Sequence, residues 1–272
     1  MSRVARGSIS DGTSGIQGEV WSQAAPDWAC MQEVMERPAW EHAVRLARVG
    51  AGTRFLDVGC GAGGASMVAD RYHASITGLD AAPALIAIAK ERLPNAAFHV
   101  GEMEELPFPD ESFDVVFACN SIQFAANPKE ALHGFRRVMA PHGLLVIVAW
   151  GRPEDCETEM NVFPAVRKIL PPPPAGTPQS VDLSDPGVLD GFLQASGFYV
   201  EASEFVDVPM EYPDMDYAWR AQKCAGPLQR AIRVVGEPAV KKAVVYAMRP
   251  FTNPSGMVRM RNKFRIVVAK RG

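Results

Sequence analysis

The chain has little of what several classes of protein require. Its five cysteines (Cys30, Cys60, Cys119, Cys156 and Cys224) are odd in number and show no C-x-x-C or Cys/His ligand spacing. Neither a disulfide scaffold nor a metal site is therefore expected. No apolar run approaches the roughly 18 residues that a membrane-spanning helix needs, so no membrane association is expected. Charge of one sign is also missing: 28 Lys and Arg stand against 31 Asp and Glu, a net charge of −3. That balance cannot neutralise a phosphate backbone, which argues against a nucleic-acid partner and for a small organic one. The opening residues are polar and rich in Ser and Gly, without an apolar signal region, so the expected location is the cytoplasm. Histidine is scarce and scattered (His42, His73, His99, His133, His142), and none is placed to be named as a catalytic base.

What is present begins at residues 54–64, Arg-Phe-Leu-Asp-Val-Gly-Cys-Gly-Ala-Gly-Gly. An apolar strand runs into a glycine-rich turn, with Asp57 two places before the first glycine. Gly59, Gly61 and Gly64 fit the G-x-G-x-x-G spacing of pyrophosphate-binding folds, where bare backbone lets a phosphate approach a helix N-terminus. Asp57 argues for a different ligand. A carboxylate at the mouth of the loop repels a pyrophosphate, whereas S-adenosylmethionine (SAM) carries an ammonium and a sulfonium and no phosphate. Cys60 sits between two glycines, where little else fits.

Residues 65–72 have helical composition, and 75–80, Ser-Ile-Thr-Gly-Leu-Asp, read as a second strand ending in an acid. Asp80 then lies about 20 residues beyond the glycine turn, where a βαβ unit places a carboxylate to accept ribose hydroxyls, with Ala81 beside it. The alternative is that Asp80 caps a helix starting near Pro83. A short strand at 97–100 leads into Gly-Glu-Met-Glu-Glu-Leu-Pro-Phe at 101–108 and the strand Phe-Asp-Val-Val-Phe-Ala-Cys at 113–119.

In the order of these motifs, over roughly residues 50–150, the chain resembles the class I SAM-dependent methyltransferases, in particular the small-molecule group that includes ubiquinone and menaquinone biosynthesis methyltransferases. The resemblance implies that Glu102 accepts the adenine amino group, where Asp is the more usual residue. It implies that Met103 offers its backbone N–H and side chain to the ring. Asn120, at the end of the fourth strand, resembles a contact to the methionine end of SAM, with a helix cap as the alternative, and Gln123 could face the acceptor. Trp21, Trp28, Trp150, Tyr217 and Trp219 are, by the same analogy, the aromatic residues placed to line an acceptor pocket. Their alternative is ordinary packing. The chain lacks both the Pro-Pro-aromatic motif of amino-directed methyltransferases after Asn120 and the carboxylate set of magnesium-dependent O-methyltransferases, so no metal is expected.

The remaining pattern predicts leading helices over 18–50, a helix at 127–139 and a near-continuously apolar strand at 143–150, buried on both faces. Alternating strands and helices predict an α/β fold with a Rossmann-like, doubly wound sheet. A tail (1–17) precedes the helices and SAM-binding core (18–150), and an insertion (151–182) carries a short helical stripe and four prolines at 171–174, read as an extended connector. The core resumes at 183–208. Residues 209–256 hold three short helical stretches divided by Gly and Pro, and the last strand falls in 257–272. By the resemblance the sheet is mostly parallel with an antiparallel last strand, and the inserted helices cap the acceptor site.

The expected activity is methyl transfer from SAM to a small organic acceptor, leaving S-adenosylhomocysteine, by in-line displacement that depends on alignment and exclusion of water. The rival readings are an NAD(P)-dependent oxidoreductase and a SAM-binding protein without catalysis. Neither the acceptor, nor a catalytic residue, nor the oligomeric state can be read from the sequence.

Overall fold

The structure, a computed structural model, describes residues 12–172 and 182–272. Its centre is a seven-stranded sheet in the order β3-β2-β1-β4-β5-β9-β6. The strands are β1 (Arg54–Val58), β2 (Ser75–Asp80), β3 (Ala97–Val100), β4 (Phe113–Cys119), β5 (Met139–Trp150), β6 (Phe198–Asp207) and β9 (Lys263–Arg271). β1 pairs in parallel with β2 and β4, β2 with β3, and β4 with β5. β9 is antiparallel to both of its neighbours, β5 and β6. The antiparallel strand is thus interior, and β6 is the edge.

Side-chain alternation explains the apolar runs. Phe55, Val115, Phe117, Val146 and Val148 enter a core on one face of the sheet, while Leu56, Val116, Ala118, Leu145 and Ile147 enter a second core on the other. Because both faces are covered, the central strands are apolar at most positions, with Asp57 of β1 a buried exception. α3 (Arg37–Leu46) and α4 (Gly64–Asp70) cover the first face, through Trp40, Val44 and Val68. α6 (Pro128–Val138) and α8 (Pro186–Ala195) cover the second, through Leu132, Phe135, Leu189 and Leu193. Local signals set the starts of these helices. The Asn127 side chain accepts the Lys129 N–H and Asp185 accepts that of Gly187, each with proline at the first helical position.

A third core lies apart from the sheet. α7 (Glu157–Arg167), α9 (Met215–Lys223), α10 (Gly226–Val235) and α11 (Glu237–Met248) bury Val162, Val166, Trp219, Leu228, Val240, Val244 and Met248 together. A two-stranded antiparallel ribbon, β7 (Met210–Tyr212) with β8 (Val258–Met260), joins this layer to the sheet; the sequence pattern did not separate it from the neighbouring segments. The N-terminal end also differs from expectation. α1 (Ser14–Ser22) begins inside the segment read as a tail, and Thr13 Oγ1 donates to the Phe124 carbonyl. Of the proline run, Pro173 and Pro174 lie outside the described residues. Among the described residues no helix is long and apolar enough to cross a membrane.

Candidate functional site

Between β1 and β4 the strand order reverses, and a ligand crevice is expected outside the carboxyl ends of the strands at such a point. The principal cavity opens there. It holds about 1240 Å³, its open mouth included.

Its floor is the loop after β1. Gly59 has φ +74° and Gly61 φ +54°, left-handed values that favour glycine. The Gly59 and Cys60 N–H groups donate to the Leu79 carbonyl, which ties the loop to β2. Asp80, at the end of β2, accepts the Gly61 N–H through Oδ2 (2.9 Å) and the Ala82 N–H through Oδ1 (2.8 Å). It shapes the turn before α5 (Pro83–Arg92), yet each oxygen keeps a lone pair for a ligand. Asp80 is not the N-cap of that helix; Ala82 is.

Asp57 is more deeply placed than the sequence suggested. Its carboxylate lies beneath the loop, only 1% exposed, and accepts the Ser66 hydroxyl at 2.7 Å. The expectation of a carboxylate standing at the loop's mouth is corrected: β1 directs residue 57 onto the α4 face of the sheet, where the start of that helix engages it. Burial pushes its carboxyl up to about 7, with the charges of Glu33 and Asp80 adding to the shift and the Ser66 hydrogen bond opposing it.

Two further buried carboxylates were not anticipated, Glu33 and Glu36. They belong to a helical stretch that passes through α2 (Ala25–Asp27), a π-turn (Trp28–Gln32) and a 3₁₀ turn (Glu33–Glu36) before α3. In a regular amphipathic helix these acids would be read as the solvent face. The wider π-turn rotates the chain, so the face that follows points inward. Glu33 accepts the Ala62 N–H at 2.8 Å and pairs with Arg92 at 2.7 Å. Burial still outweighs that partner and raises its carboxyl to about 6. Glu36 accepts from Cys119 Sγ (3.4 Å) and Asn120 Nδ2 (3.3 Å). Burial lifts it to about 7, against those hydrogen bonds and with Glu33 adding repulsion.

These shifts give the free protein a pH dependence of definite sign. Three carboxyls (Glu33, Glu36 and Asp57) have folded values raised above their ordinary ones, so the folded state holds more protons than the unfolded one from about pH 4 to about pH 7. Their contribution is fully present below about pH 4 and is lost as pH rises through about 6 to 7. The ligand-free protein should accordingly melt at a lower temperature near pH 8 than near pH 5, as followed by circular dichroism. A melting temperature that rises across that interval would contradict the placement of these groups.

At the other end of the crevice, Glu102 Oε2 accepts the Ser14 N–H (2.8 Å) and Oε1 accepts the Met103 N–H (2.9 Å). Here too the expectation is corrected, since the Met103 N–H is occupied by its neighbour and is not free for a ring. The carboxylate at the first turn of α1 also interacts favourably with the helix dipole. Ala81 lies on the rim, its carbonyl against Gly18. Asn120, just after β4, has φ +46°, which Asn tolerates better than most residues. Its Oδ1 and Gln123 Oε1 are buried acceptors with no hydrogen-bond partner among the described residues.

The cavity brings together Asp57, Gly59, Cys60, Gly61, Asp80, Ala81, Glu102, Met103, Asn120, Gln123, Trp21, Trp28 and Trp150. Tyr217 and Trp219 are not on it. Trp219 is buried in the third core with Tyr217 packed against that core, because the inward face of α9 meets α10 and α11. The α9 side chain that does reach the cavity is Gln222, whose Nε2 donates to the Tyr212 hydroxyl (2.8 Å), which donates to Gln32 (3.0 Å). A lone Gln on the buried face of an amphipathic helix was the signal available for it. Trp21 and Trp28 meet edge to face at 4.7 Å, and Trp150 stands against Phe163 at 6.4 Å and Phe264 at 4.8 Å. Five carboxylates line the cavity (Glu33, Glu36, Asp57, Asp80 and Glu102), and the described lining includes no Lys, Arg or His. Nor is there, among the described residues, a group of three or more His, Cys, Asp or Glu disposed to hold a metal ion.

Comparison with known proteins agrees with this geometry. The methyltransferase domain family matches residues 56–147. The chain is 34% identical over 125 residues to the 2-methyl-6-phytyl-1,4-hydroquinone methyltransferase of Synechocystis, covering 44% of this chain and 39% of that protein. It is 36% identical over 96 residues to the demethylmenaquinone methyltransferase of Chlorobaculum parvum, covering 35% and 40%. It thus spans about two fifths of the length of these two relatives. The crystal structure of the YcgJ protein of Bacillus subtilis has the same fold, with a TM-score of 0.57 at 21% identity over 86% of this chain and 98% of that one. With the glycine loop after β1 and the acid ending β2 inside it, the segment 56–147 belongs to the methyltransferase domain family.

Proposed function

We propose that this protein transfers the methyl group of SAM to a small, uncharged organic acceptor built on a flat ring. The observation that carries this reading is the acidity of the cavity: five carboxyl groups line it, Glu33 alone is matched by a cation, Arg92 behind the wall, and the described lining holds no basic residue. Such a wall attracts a sulfonium and an ammonium and repels phosphate or carboxylate groups. A dinucleotide fits it poorly.

The residues present fit SAM. Asp80 retains lone pairs toward the crevice. Gly59 supplies bare backbone, since a Cβ there would strike the side chain of Ser121. The unpartnered Asn120 Oδ1 needs a donor. We assign Asp80 to the ribose, Ala81, Glu102 and Met103 to the border of the adenine, and Gly59, Cys60, Gly61 and Asn120 to the amino-acid end. When bound, SAM supplies a methyl group on a positively charged sulfur, a leaving group already activated. The protein's part is then to align the acceptor and exclude water. Trp21, Trp28, Trp150 and Phe163 offer flat apolar walls for this, and Gln123 Oε1 offers an acceptor to a protic group of the substrate. The two relatives named for hydroquinone and demethylmenaquinone methylation favour a ring acceptor of that kind.

An acceptor screen that reads out S-adenosylhomocysteine tests the proposal, beginning with hydroquinones and naphthohydroquinones. Turnover is expected on an uncharged ring and should persist in EDTA. Turnover confined to acidic or phosphorylated acceptors would overturn the charge argument, and loss in EDTA restored by magnesium would overturn the absence of a metal.

We assign residues 209–256, with α7, to a cap over the acceptor. α9, α10 and α11 are 9, 10 and 12 residues long, at or below the length at which an isolated helix persists in water. Packing and ligand must hold them. Amide exchange should be faster in 215–248 than in β1 and β5, and slow when S-adenosylhomocysteine and an acceptor are present together. Exchange already as slow as in the central strands without ligand would make this layer a fixed wall.

A further inference from the structure

We propose that Glu36 is the carboxylate that receives the α-ammonium of SAM, a contact for which the sequence had suggested Asp57. The inference rests on SAM being the methyl donor. Its first support is order along the crevice. Strands β3, β2, β1 and β4 lie side by side, and their carboxyl ends carry Glu102, Asp80, Gly59 and Asn120 in that sequence. With the ribose at Asp80, the amino-acid end passes over β1 toward β4, two strand spacings or roughly 10 Å away. Glu36 is hydrogen-bonded to Cys119 and Asn120 at the end of β4, and it lines the cavity.

The second support is elimination among the acids nearby. Asp57 is only 1% exposed, against 7% for Glu36, and its Oδ2 accepts the Ser66 hydroxyl. Glu33 is matched by Arg92 and the Ala62 N–H. Among the described residues Glu36 accepts from neutral donors, the Cys119 thiol and the Asn120 amide. The ionisable groups whose influence reaches Glu36 include Glu33, whose charge repels its own, and Cys119, whose thiol burial holds well above its usual range. Arg92 is committed to Glu33. A buried carboxylate without a cation is costly, and its upward shift to about 7 reflects that cost.

The third support is the orphaned acceptor beside it. Because Asn120 Nδ2 donates to Glu36, the amide orientation is set, and Oδ1 is left buried without a partner. An ammonium carries three donors, so one placed between these residues satisfies the Glu36 carboxylate and Asn120 Oδ1 together.

Calorimetry with two ligands tests the assignment. S-adenosylhomocysteine carries the ammonium; 5′-methylthioadenosine has the same adenosine and lacks the amino-acid end. Glu36→Gln should weaken S-adenosylhomocysteine roughly 10- to 100-fold, the worth of a charge-assisted contact, and change 5′-methylthioadenosine less than about twofold. Glu36→Asp, which keeps the charge but withdraws it by one methylene, should show the same contrast and serves if the Gln variant does not fold. The wild type should also prefer S-adenosylhomocysteine over its deaminated analogue by a similar factor. Equal losses for both ligands, or an unchanged S-adenosylhomocysteine affinity in a folded variant, would overturn the assignment. If the wild type binds neither ligand, it is the SAM reading that fails.

Discussion

Asp80→Ala should weaken S-adenosylhomocysteine by about 1 to 3 kcal/mol, roughly 5- to 150-fold in Kd. The charged acceptor proposed for two ribose hydroxyls disappears, and two further contacts go with it, the Gly61 N–H at 2.9 Å and the Ala82 N–H at 2.8 Å. Those contacts hold the glycine loop and the entry to α5 in register, so part of the loss arises from a loosened loop. Adenosine should weaken by a similar factor because it carries the same ribose, which separates this position from Glu36. Calorimetry on the folded variant decides the matter. An unchanged Kd would leave Asp80 with its turn-forming role alone.

Gly59→Ala should be worse. At φ +74° an L side chain costs roughly 1 to 2 kcal/mol, and the new Cβ would collide with the Ser121 side chain. Ser121 cannot step aside cheaply, since it is buried and its hydroxyl donates to the Val58 carbonyl at 2.8 Å. The strain therefore passes into the loop and the end of β1, the backbone that borders the proposed cofactor position. Thermal melting should fall by several degrees at about 2 to 4 °C per kcal/mol, and S-adenosylhomocysteine affinity should fall at least tenfold. Gly52→Ala is the control. It shares a positive φ of +80° but has open space where the Cβ would stand, so it should lower the melting temperature less and leave binding intact. Equal behaviour of the two variants would show that only backbone strain matters at Gly59.

Fold and cavity were legible in the sequence to different depths. Strands β1 and β4 announce themselves because both faces of the sheet are covered there, while β2 and the edge strand β3 are less buried and still begin and end where the sequence pattern placed them. The glycine loop and Asp80 were legible for a related reason. Their roles depend on neighbours within about 20 residues, in one βαβ unit whose geometry leaves little freedom. Glu33 and Glu36 were not legible, because an acid three places after another in a helical pattern marks a solvent face until a π-turn rotates it inward. Tyr217 and Trp219 failed in the opposite sense. A helix pattern states which side is apolar but not which of two apolar surroundings, cavity or neighbouring helices, that side will meet.

The sequence by itself therefore determined the α/β sheet, the position of the glycine loop and the acid ending β2, all set by local geometry and by burial along one chain segment. Only the tertiary structure decided how the carboxylates at the crevice are partnered, Asp57 by Ser66 and Glu36 by Asn120. Those outcomes depend on segments as far apart as residues 36 and 120, whose approach is governed by the packing of the N-terminal helices on the sheet, and periodicity within either segment does not encode that approach.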